Sequence, residues 1–173
     1  MRSVLPLGRS LFWILGLSFI LLLLLTIGQL PPVVASHFDG AGAPNGWSSR
    51  RSYGILLGGI GVLLPLGIVA LVNALTQRGP QLLNIPAREY WRRPEHSLEA
   101  VRRVRAYMWW LGCIMTGAAL AVHGLILRAH GSAPPHLSTV AIVTLLCGLL
   151  LAIGLWIVGW YRLLRPAGAL QDG

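Results

Sequence analysis

Most of the chain's candidate chemistry lies in one short segment between two long apolar runs. His37, Phe38, Asp39, Gly42, Pro44 and Trp47 fall within eleven residues, and Arg50 follows just beyond. An imidazole, a carboxylate, a guanidinium and two aromatic rings form a set suited to recognising a peptide, a lipid or a small molecule. The same residues also suit a well-packed cap. Asn45-Gly46 is a strong turn dipeptide, Gly40, Gly42 and Gly46 permit positive φ, and Phe38 and Trp47 are large enough to pin the segment down. Ser48 and Ser49 share the segment with His37, and Asp39 stands near enough to orient its ring. No nucleophile with an evident base occurs, nor paired carboxylates, a phosphate loop or a dinucleotide fingerprint. The chain is therefore expected not to be an enzyme, and no cofactor is expected.

Two further sets of residues carry possible chemistry. His37, His123, His130 and His136 fall toward one side once the helices are placed, and imidazole suits zinc and copper. Their spacing fits no ligand signature, so a metal-handling role or small transporter is kept only as a minor alternative. The second set is Asn84, Pro86, Tyr90, Trp91 and Glu95, in a polar stretch between apolar runs. It is the candidate contact for a membrane or soluble protein partner.

The elements that must position these residues are membrane helices. The 173 residues are 55% hydrophobic and only 11% charged, with a mean hydropathy of +0.68. A soluble domain carries about 25% charged residues. Four stretches are long and apolar enough to cross a bilayer, at about 11–30, 53–75, 107–127 and 137–161. Residues 1–173 thus read as one all-α membrane domain, a four-helix bundle, because helices satisfy their own backbone groups in lipid. An outer loop, 31–52, joins the first two spans. A basic loop, 76–106, joins the second and third.

All 14 basic residues are arginine and the net charge is +9. In a membrane chain this reflects topology rather than nucleic acid, and no nucleic-acid partner is expected. Eleven arginines fall on the side of the termini and the 76–106 loop, against three on the other. Both termini are therefore expected in the cytoplasm of a bacterium, with the protein in its inner membrane and the bilayer as its first partner. An alternative places a signal-peptidase cut after Ala35, but the apolar run before it is longer than a signal peptide needs.

Several local expectations follow. Pro31 and Pro32 end the first helix. Gly79-Pro80 breaks the chain after the second, and Pro65 kinks that second helix. Gly54 and Gly58 form a small-xxx-small pair for packing inside the chain or in a homo-oligomer. Residues 94–106 form a basic amphipathic helix running into the third span, with Val101 and Val104 toward the bilayer and Arg102, Arg103 and Arg105 on lipid headgroups. No Asp, Glu or Arg stands in the middle of a span, and His123 is the one ionisable side chain that approaches it. This disfavours a pump or channel. Cys113 and Cys147 sit in apolar runs and read as small hydrophobes.

The pattern His37-Phe38, Gly42, Pro44, Trp47, preceded by Leu30-Pro31 and followed by Arg50, resembles the bacterial domain of unknown function numbered 1648. Asn84-Ile85-Pro86, Tyr90-Trp91 and Pro94-Glu95 are similar to a stretch found after the second span in many members. The same domain opens the larger SdpI-like immunity proteins, which carry further spans. The resemblance implies a ligand-sensing, signalling or immunity-type binding module using the outer segment. An accessory or structural subunit of a larger membrane complex is the competing expectation.

Overall fold

The computed structural model describes residues 5–78 and 84–166. The expected break at Gly79-Pro80 lies outside the described residues. The leucine-rich first run forms α1 (Leu5–Thr26), closed by a 3-10 turn before Pro31 and Pro32. The chain then forms an antiparallel hairpin, β1 (Val33–Phe38) and β2 (Pro44–Ser49). The second span is α2 (Arg50–Gly58), a π turn (Gly59–Leu63) and α3 (Leu64–Arg78). A short α4 (Arg88–Arg92) leads to α5 (Pro94–Ala129), and α6 (Thr139–Leu163) completes the fold. Among the described residues four helices are long and apolar enough to cross a membrane, the pattern of a multi-pass membrane protein.

The hairpin is the exception to the all-α expectation. The Asn45-Gly46 turn is also corrected. Asn45 and Gly46 lie within β2, and the tip is Asp39–Ala43, where Gly42 alone takes a positive φ, of 84°. Asp39 Oδ1 accepts from the backbone N–H of Ala41 and Ala43 at 3.0 and 2.9 Å, which closes the tip. Gly46 must be small for another reason: a Cβ there would meet His37 Cβ at 2.9 Å.

The core runs along α5, which packs against α1, α3 and α6. Phe12 and Phe19 of α1 are fully buried, as are Thr116 and His123 of α5. Gly54 faces Ile27, and Gly58 faces Leu23, so this glycine pair seats α2 against α1. The kink expected at Pro65 appears as the π turn just before it. Pro65 has no N–H for the carbonyl of Gly61, four residues back. Thr116 Oγ1 donates to that oxygen instead, at 2.6 Å. Gly61 also leaves space for the ring of Phe19.

Side-chain donors reach backbone carbonyls at or near the C-terminal ends of the four spans, where the last carbonyls lack helical partners. Arg50 Nη1 donates to the carbonyls of Gly28 and Leu30, at 3.2 and 2.9 Å. Arg105 reaches Asn73 O and Thr76 Oγ1 near the end of α3, at 3.2 and 2.6 Å. Arg103 donates to Leu163 O of α6 at 2.7 Å, and Trp91 Nε1 to Leu164 O at 2.8 Å. On α5, Ser132 Oγ donates to Ala129 O at 3.1 Å, beside the bond His130 makes to Ile126 O. A cation at a helix C-terminus also meets the negative end of the helix dipole.

These contacts correct the bilayer-facing role expected for residues 94–106. The segment is helical and continuous with the third span, but Val104 is buried against Ile85, Trp91, Ala100 and Leu164. Arg103 and Arg105 hold carbonyls of α6 and α3. Arg102 is the more exposed, and pairs with Glu99.

Candidate functional site

The segment singled out above separates into residues the fold uses and residues it leaves available. Phe38 packs beside Leu30, Val34, Tyr53 and Ile126. Asp39 holds the tip, Pro44 pairs with Phe38 across the hairpin, and Arg50 closes the end of α1. Gly42 O accepts from Leu137 N–H at 3.0 Å, and a Cβ on Gly42 would run into the Leu137 carbonyl. Gly42 therefore locks the hairpin tip to the loop between α5 and α6. Val34 and Ala35, next to the alternative cleavage position, are fully buried.

His37 and Asn45 behave differently. Both are exposed. His37 Nδ1 lies 3.2 Å from Ser36 Oγ, while Asn45's side chain has no hydrogen bond among the described residues. Together with Ser36 they rim a cavity of about 580 Å³ whose remaining wall is apolar and includes Val122, Ile142 and Leu145. Small-molecule sites typically measure about 300–1,000 Å³ and combine an apolar wall with a few polar groups. Trp47 is 54% exposed on the same hairpin.

Behind the hairpin are two histidines seven residues apart on α5. His130 Nε2 accepts from the Ala35 N–H at 3.1 Å and Nδ1 donates to Ile126 O at 2.9 Å. This hooks β1 to the end of α5. His123 is fully buried. Thr26 Oγ1 gives its single hydrogen to Leu22 O at 2.6 Å, so it accepts from His123 Nε2–H at 2.7 Å. His123 Nδ1 then accepts from Tyr53 O–H at 3.0 Å. The chain Tyr53–His123–Thr26–Leu22 joins α1, α2 and α5 with each polar atom satisfied, as a buried network requires. His123 and His130 thus carry their protons on opposite ring nitrogens.

Sequence reasoning placed His123 near a span end but missed Thr26 and Tyr53, its partners. The signal available was a hydroxyl at the end of a leucine run. The structure does not bring His37, His123, His130 and His136 into one site. Among the described residues no group of three His, Cys, Asp or Glu side chains is placed to hold a metal ion.

At the opposite end, Trp91 is buried and its indole N–H is engaged. The Arg103 guanidinium lies 5.2 Å from its ring centroid. Tyr90 stacks on His96 with centroids 4.0 Å apart. Of the expected partner contacts, only Asn84 and Glu95 are exposed, and Pro86 and Tyr90 are half-buried. Trp91 is therefore corrected from a docking residue to a structural one.

Residues 13–59 match the family model of a domain of unknown function, DUF1648. The match spans most of α1, the hairpin and α2, and leaves the Asn84–Glu95 stretch outside it. No curated protein and no solved structure matches the chain.

Proposed function

We propose that the protein is a recognition module of a bacterial cytoplasmic membrane, with the hairpin on the outer face and both termini inside. The arginine imbalance supports this orientation. One observation carries the functional reading: His37 and Asn45 stay exposed on a segment whose Asp39 and Arg50 hold the fold, and they rim a cavity of about 580 Å³. The outer cap binds an envelope ligand there, in a sensing, signalling or immunity-type role. A relay is supported by α5, a single helix of 36 residues. It is hooked to the hairpin through His130 and to the ends of α3 and α6 through Arg105 and Arg103.

The test is a thermal-shift screen of the purified protein in lipid nanodiscs, against envelope peptides and a membrane lipid extract. A ligand that raises the melting temperature of the parent and not of the His37→Ala, Asn45→Ala variant supports the reading. Ligands that stabilise both proteins equally contradict it.

A second reading, an accessory subunit of a larger complex, is favoured by α6, where Leu163 is the one buried residue. Recovery of the protein alone from its native membrane in mild detergent would count against it.

A further inference from the structure

We propose that the seam between α5 and α6 holds the hydrocarbon chain of a membrane lipid whose head group lies against Ser36, His37 and Asn45. This rests on the recognition role of the hairpin and names the ligand class.

The cavity beneath the hairpin does not end there. It shares Leu145 with a second cavity of about 350 Å³ between the same two helices. That one shares Cys113, Ile114 and Ala152 with a third, of about 460 Å³, bounded by Tyr107 and Trp156. The three form one slot along the α5–α6 contact. From Ile126 to Tyr107 it runs about 29 Å at the helical rise per residue, close to the thickness of a hydrocarbon layer, about 30 Å.

Its chemistry is graded. Hydroxyl, imidazole and amide groups stand at the hairpin end, and no carboxylate or guanidinium lines that cavity. Below them the walls are almost wholly aliphatic, and Gly117, Ala118, Ala121 and Gly148 keep them low. A Cβ on Gly117 or Gly148 would meet nothing within 4 Å, so the space beside these glycines is open. The far end is shut where Tyr107 O–H donates to Trp156 O at 2.9 Å and stacks on its ring. An apolar slot inside a bilayer is not filled by water. One hydrogen-bonding end and one long apolar body match an uncharged or zwitterionic head on a flexible chain. A second helix, about 10 Å wide, is too broad for a slot floored by two helices in direct contact.

The experiment uses the full chain in phosphatidylethanolamine–phosphatidylglycerol liposomes doped with a phospholipid that carries a diazirine on its acyl chain. After irradiation, adducts are mapped by mass spectrometry. Labelling of 113–126 and 142–152 is expected at least fivefold above the exposed face of α1 at Leu17, Leu21 and Leu24. Gly148→Leu fills open space, so the fold tolerates it, and it lowers seam labelling about fivefold while α1 labelling stays constant. Even labelling of all exposed helices overturns the proposal, as does a seam left unlabelled while α1 is labelled. The two readings fail separately. Seam labelling that persists in His37→Ala, Asn45→Ala but falls in Gly148→Leu leaves a lipid in the seam and removes recognition by the hairpin. Even labelling removes the lipid and leaves the hairpin to another ligand.

Discussion

The two ends of the bundle solve one problem with different remainders. At each end, side chains satisfy helix carbonyls: Arg50 and His130 at the hairpin end, Arg103, Arg105 and Trp91 at the other. At the arginine end this engages Trp91, the largest side chain of the expected interaction surface, and Trp91 and Val104 become core. At the hairpin end the same work is done with residues to spare, because His37 and Asn45 remain exposed at the rim of a cavity. A cluster of polar and aromatic residues thus has a separate function only to the extent that the fold has not already engaged it.

The sharpest way to break this comparison is at the buried network. His123→Phe keeps ring volume but removes two hydrogen bonds and strands the hydroxyl of Tyr53. A loss of about 3 kcal/mol is expected in unfolding measured in detergent, since each buried group left unpaired costs about 1–3 kcal/mol. At the arginine end, Arg103→Ala loses the Leu163 carbonyl, Glu99 and the face of Trp91. A cost of about 2 kcal/mol is expected in the same assay.

Thr116→Val isolates a smaller term, the carbonyl of Gly61 that Pro65 leaves without a donor, at about 1 kcal/mol. In a double-mutant cycle, Pro65→Ala supplies an N–H and shrinks that cost. Additivity of the two changes would remove the compensation argument. Smallest is His37→Ala with Asn45→Ala, where stability is expected to change by less than about 0.5 kcal/mol, as for surface positions free of such features. The two α5 histidines can also be told apart without mutation. Nitrogen-15 spectra should place the proton on Nε2 of His123 and on Nδ1 of His130, and the same tautomer at both would contradict the hydrogen bonds described.

The four helices and the break at Pro65 were legible because length, hydropathy and proline are local signals. Their limits moved by a few residues, and the basic extension runs into the third span as expected. The hairpin was not legible. Val33–Phe38 is short, and Asn45-Gly46 is a persuasive turn that the tip at Asp39–Gly42 outcompeted by using the Asp39 carboxylate and Gly42's positive φ. The arginines were read as topology, which says nothing of what each guanidinium touches. Arg103 meets a carbonyl 60 residues away, and His123 meets Tyr53 and Thr26 at separations of 70 and 97. Such contacts exist only after the helices have packed. Of the candidate site, the sequence marked the segment but could not divide it into residues that hold the hairpin and residues that face the cavity.

One paired measurement separates the residues that hold the hairpin from those that face the cavity. Arg50→Ala and the His37→Ala, Asn45→Ala variant are compared in liposomes for melting temperature and for photolabelling by the diazirine phospholipid. The account predicts that Arg50→Ala lowers the melting temperature clearly, whereas the double variant melts with the parent and loses most of the seam label. A double variant that melts as low as Arg50→Ala, or one that keeps both parental stability and parental labelling, would contradict it.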